Sequence, residues 1–122
     1  MTTTGTTTTT PTTTPTTAIT ADSAASGQVT VIATLHVQPG REAAFEACMR
    51  AMAAETRTEA GCIAYDLQRS SDDPCEYIMV EYWRDAAALD AHFASTHMAR
   101  LVADLPGLVD RPVAIRRFAP VA

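Results

Sequence analysis

The chain has 122 residues and a formal net charge of -5, an acidic balance that argues against nucleic acid or an anionic membrane surface as a partner, since both are held mainly by clustered Lys and Arg. Apart from the Arg116-Arg117 pair the basic residues are scattered, and no apolar run approaches the roughly 20 residues of a membrane span. The three cysteines, Cys48, Cys62 and Cys75, are odd in number and show neither a C-x-x-C nor a zinc spacing, which fits small apolar residues in a reducing cytoplasm better than a disulfide framework.

Residues 2–17 are Thr, Pro and one Gly. Such a tract has no side chains able to bury area against the entropy of ordering, so residues 1–27 are expected to be a disordered tail with no secretory signal pattern. Residues 28–122 then form a single domain. Val29 to Val37 is rich in β-branched residues and closes on Pro39-Gly40, a first strand. From Arg41 to Ala60 the period changes: Phe45, Cys48, Met49, Met52 and Thr56 share one helical face, with Glu42, Glu46, Arg50, Glu55 and Glu59 elsewhere and Gly61 as the stop. Cys62 to Arg69 and Glu76 to Trp83 read as a hairpin around Ser70-Ser71-Asp72-Asp73-Pro74. Asp85 is placed to cap a short helix to about Ala94, and Ser95 a second carrying Met98, Leu101, Val102 and Leu105. Pro106-Gly107 ends it. Arg111 to Phe118 is an edge strand, with Pro112 acceptable only near its start.

This order is the split βαβ of a ferredoxin-like α+β fold, βαββαβ. Strand three is apolar on both faces, with Tyr77, Met79 and Trp83 on one and Ile78, Val80 and Tyr82 on the other. Two helices cover one face of a four-stranded sheet, so the second is expected to pair with another copy as a homodimer.

Val31-Ile32-Ala33, Pro39-Gly40, Glu59-Ala60-Gly61-Cys62 with Tyr65, Met79-Val80-Glu81-Tyr82-Trp83, Ala91-His92 and Thr96-His97-Met98 together resemble the antibiotic biosynthesis monooxygenase domain, and within it the bacterial quinol monooxygenases. The likeness covers about residues 28–118. It implies a dimeric α+β barrel with a pocket between sheet and helices in each subunit, and oxidation of quinols or polyketide phenols by dioxygen without a cofactor. Related domains degrade haem or isomerise a phosphorylated signal, so the scaffold is better defined than the reaction. Ala33 and an apolar residue near Leu101 stand where the haem-degrading branch carries an Asn and its iron-binding His, which disfavours that branch.

The candidate site follows. Trp83 serves either as core or as a wall beside a flat ligand. Glu81, a carboxylate on a mostly apolar strand, needs a partner or acts as a base. His97 at a helix start is the first candidate for the base that accepts a phenolic proton, and His92 is the second. Tyr65 is a hydrogen-bond donor or core, and Met98 an adaptable lining residue. His36 falls on the opposite strand face and stays outside the site. The spacing of five between His92 and His97 is poor for two ligands on one continuous helix, so no metal is expected, and no G-x-G-x-x-G or G-K-[ST] cradles a nucleotide. The expected partners are a small aromatic substrate and dioxygen. A non-catalytic dimeric barrel that binds an aromatic metabolite remains open, as does an isomerase, which would need Arg84, Arg100 or Arg116 to converge on the pocket.

Overall fold

The computed structural model describes residues 27–122; the expected tail, apart from Gly27, lies outside the described residues. β1 (Val29–His36) runs into a turn at Gly40, whose φ of 91° is a conformation open mainly to glycine. α1 (Glu42–Thr56) follows and buries Phe45, Met49, Met52, Ala53 and Thr56. This helix is shorter than its sequence suggests. At its end the Arg57 guanidinium turns to the Tyr65 carbonyl, 2.7 Å away, and residues 57–61 wind into tight turns instead.

β2 (Cys62–Arg69) and β3 (Glu76–Trp83) pair as the expected hairpin. The antiparallel sheet has the order β2-β3-β1-β4, with β1 and β3 in register from Val29 opposite Trp83 to His36 opposite Glu76. α2 (Ala86–Phe93) is capped by Asp85, which accepts the Ala88 N–H at 2.8 Å. α3 (Thr96–Asp104) is capped by Ser95, which accepts the Met98 N–H at 3.2 Å. A 3-10 turn over Leu105–Gly107 leads to β4 (Ala114–Phe118). β4 starts later than the sequence suggests, after Pro112, which has no N–H to give a ladder.

The result is a four-stranded antiparallel sheet with three helices, a ferredoxin-like α+β fold. Pleating sends Val31, Ala33 and Leu35 of β1 and Tyr77, Met79, Glu81 and Trp83 of β3 into the interior, where all are buried. Ile32, Ile78, Val80 and Tyr82 take the other face. The three cysteines are free. Among the described residues no helix is long and apolar enough to cross a membrane.

Candidate active site

Between the sheet and α1, α2 and α3 lies a cavity of about 500 Å³. Its walls are apolar, built from Val31, Ala33, Leu35, Met49 and Met79, with Met98 and Leu101 contributed by α3. Tyr65, Glu81 and His92 form a polar end. Each gets there by a different local rule. Glu81 follows the two-residue period of β3, Tyr65 sits opposite it on β2, and His92 falls one turn after Ala88 and Leu89 on the buried side of α2.

Trp83 lies behind this end. It is fully buried, its indole Nε1–H donates to Glu81 Oε1 at 2.9 Å, and its ring packs against His92 with centroids 4.7 Å apart. It is absent from the cavity lining. The expectation of Trp83 as a wall of the pocket is not met in this geometry: the strand-end indole meets the cavity only through Glu81 and His92, which close over it.

His97 is also away from the cavity. It borders a separate shallow groove with Cys48, Met52, Glu55 and Arg100. Between it and the cavity stands Glu59, whose Oε2 lies 2.7 Å from His97 Nε2 and 2.9 Å from His92 Nδ1. The first candidate base is thus connected to the cavity only through a carboxylate and a second imidazole. Glu59 itself was not anticipated, because its charge and its place near the end of a helical pattern read as a solvated face.

The fold also removes the objection that five residues separate the histidines. Ser95 breaks the helix between them, so His92 and His97 sit on two helices, and with Glu59 they gather three ligand-type atoms within 4.8 Å of one another. The two contacts to Glu59 have hydrogen-bond lengths. Arg84 pairs with Asp85, Arg100 with Glu55, and Arg116 lies over Phe118. None of the three reaches the cavity; Arg111 does line it, paired with Asp110 at 2.9 Å. His36 is held by Asp73 and Asp110 at 3.2 and 3.0 Å, outside the site.

Burial decides the proton chemistry. It pushes the Glu81 carboxyl up to about 7, assisted by the Glu59 charge and opposed by the Trp83 hydrogen bond. Burial also lowers His92 from its ordinary 6.5, against the pull of Glu59, so the ring is neutral at pH 7. Tyr65 is pushed far up by burial and then by the Glu81 charge, and it stays a phenol able to donate. The polar end thus holds a neutral imidazole, a carboxyl poised near neutrality and a phenolic donor.

A family model described as antibiotic biosynthesis monooxygenase matches residues 28–104. The chain is 39% identical over 93 residues to “Putative monooxygenase Rv0793” of Mycobacterium tuberculosis, covering 76% of this chain and 91% of that protein. Among solved structures, PA3566 from Pseudomonas aeruginosa superposes with a TM-score of 0.74 at 37% identity, covering 80% of this chain and 97% of that one. A structure titled antibiotic biosynthesis monooxygenase superposes with a TM-score of 0.73 at 31% identity, covering 77% and 99%.

Proposed function

The chain belongs to the antibiotic biosynthesis monooxygenase family, and from that membership we propose that it is a cofactor-independent monooxygenase or oxidase acting on quinols or related polyketide-like phenols with dioxygen. The observation that carries this reading is an apolar cavity, of a size usual for small-molecule sites, with one end able to take and give protons. A flat aromatic body fits the aliphatic and methionine walls, and its hydroxyls fit Tyr65, Glu81 and His92.

His92 is the base in this scheme. It is neutral, it lines the cavity, and its Nε2 has no hydrogen-bond partner among the described residues. It takes the phenolic proton, and the resulting phenolate passes one electron to dioxygen to give a semiquinone and superoxide. If superoxide takes the second electron and two protons, the products are quinone and hydrogen peroxide. If the radicals join at a ring carbon, the hydroperoxide loses water and one oxygen atom stays on the ring. Glu81, ionising near pH 7, shuttles a proton in either course, and Tyr65 holds a substrate oxygen. The apolar walls limit the water that reaches the radical pair.

The working unit in this proposal is a homodimer packed through the outer sheet face, and three free cysteines suit a reducing cytoplasm. The test is oxygen uptake by purified, metal-free protein with a dihydroxynaphthalene. Consumption above the uncatalysed rate is expected. Saturable quenching of Trp83 with no uptake across a panel of quinols and phenols would mean a binding module.

A further inference from the structure

We propose that Glu59 is the positioning residue of this site: one of its oxygens holds His92 as the Nδ1–H tautomer, so that Nε2 is left with a bare lone pair for the ligand, while His97 is the second donor that keeps Glu59 in place. The proposal rests on the assignment of His92 as base. It gives work to two groups that the reaction scheme leaves unused.

The argument is one of donors and acceptors. A carboxylate oxygen has two lone pairs and no proton, so each imidazole nitrogen at hydrogen-bond distance from it must carry one. His92 Nδ1 at 2.9 Å and His97 Nε2 at 2.7 Å meet the same oxygen, Oε2. A neutral ring has a single N–H. His92 therefore spends its proton on Glu59 and presents Nε2 unprotonated, which is the tautomer that free histidine disfavours and that a base at Nε2 requires.

His97 completes the acceptor count of Oε2, and Glu59 then has no free lone pair on that oxygen to draw it elsewhere. On its outer side His97 Nδ1 lies 3.8 Å from Glu55 Oε1, beyond hydrogen-bond length, and Glu55 is itself paired with Arg100. The backbone under Glu59 is restrained. Its N–H donates to the Thr56 carbonyl at 3.0 Å, its carbonyl accepts from Cys62 at 3.0 Å, and the Gly61 carbonyl accepts from Arg84 at 2.8 Å. The other ionisable groups about His92 are Glu81, reached across the Trp83 indole, and the Tyr65 phenol packed edge-on at 5.5 Å. Neither is hydrogen-bonded to Nδ1.

The test reads tautomers directly, by long-range proton–nitrogen NMR of the full-length protein, assigned with His97→Ala. In the wild type His92 is expected to show a protonated Nδ1 and an unprotonated Nε2, and His97→Ala, which removes the second donor to Glu59, is expected to keep that tautomer as the major form with a smaller share. Glu59→Gln, which keeps the shape and removes the charge, should mix the two His92 tautomers and lower kcat on a dihydroxynaphthalene about tenfold or more with little change in KM. A wild-type His92 protonated at Nε2 would overturn the proposal, as would a Glu59→Gln protein with unchanged tautomer and kcat. One equivalent of zinc that saturates His92 and His97 together would overturn it in favour of a cation site. Should no phenol be turned over, the oxidative reading fails while the wild-type tautomer still decides the role of Glu59.

Discussion

Gly61 stands so close to Ala88 that a Cβ built on the glycine would lie 2.2 Å from the Ala88 Cβ. This contact seats the turn after α1 on the start of α2, and it brings Glu59, two residues before the glycine, to His92, one helical turn after the alanine. Gly61→Ala forces the two segments apart. It should cost about 1–3 kcal/mol, the usual range for overpacking a tight site, and should weaken the Glu59 to His92 hydrogen bond. Urea unfolding measures the first, and a midpoint equal to the wild type would mean that the turn moves off α2 without cost.

Glu81 makes stability depend on pH with a sign opposite to that of most carboxylates. The unfolded chain releases this proton near the ordinary 4.5, whereas the folded protein keeps it until about 7. Between those values the native state binds more protons, so unfolding free energy falls as pH rises, and the loss is complete above 7 at about 3 kcal/mol. Glu81→Gln should flatten the pH dependence over this window and exceed wild-type stability at pH 8. Trp83, the sole tryptophan, donates to Glu81, so its fluorescence should step near pH 7 in the wild type and not in Glu81→Gln. The same step in both proteins would place the titrating group elsewhere.

Strand periods and caps made the architecture readable from sequence. Asp85 and Ser95 cap the helices that their residue types announce, and the β3 alternation sends Glu81 inward with Tyr77, Met79 and Trp83. The site was less readable, because residue type and spacing do not say what lies in front of a side chain. Trp83 and His97 have the chemistry of a ligand wall and a base, but Glu81 and His92 stand before the first and Glu59 before the second. Glu59 could not be found by pattern at all: its carboxylate is useful only because α1 stops at Thr56 and the following turn folds back on α2.

These placements separate the expected effects of substitution. In the proposed scheme His92→Ala removes the cavity-lining base and should lower kcat by about 10²-fold or more. His97→Ala should cost less, since Glu59 still holds His92. Trp83→Phe removes the donor to Glu81 and the packing under His92; it should shift the pH profile and lower stability, with KM nearly unchanged. Steady-state kinetics across pH would show this, and a KM rise in Trp83→Phe without a pH shift would return the indole to the ligand wall.

The outer face of the sheet carries the last prediction. Ile32 pairs with Val80 at the centre of the sheet, between β1 and β3, and on the same face Tyr82 and Phe118 flank Thr30 in register. Tyr82 and Phe118 are 39% and 41% exposed, and although Asp66 pairs with Val80 and Arg116 with Ile32 on this face, exposed aromatic residues beside an aliphatic centre are the kind of surface an interface covers. A second copy laid face to face covers it with the same residues, as a two-fold interface requires. Light scattering of the full chain should therefore give twice the 13.0 kDa of one chain. Val80→Asp puts a charge at the centre of that face without touching the inner core, so it should yield a folded monomer at micromolar concentration. A wild-type monomer would rule out the sheet-to-sheet pairing, and a Val80→Asp protein that remains dimeric would move the interface to another surface.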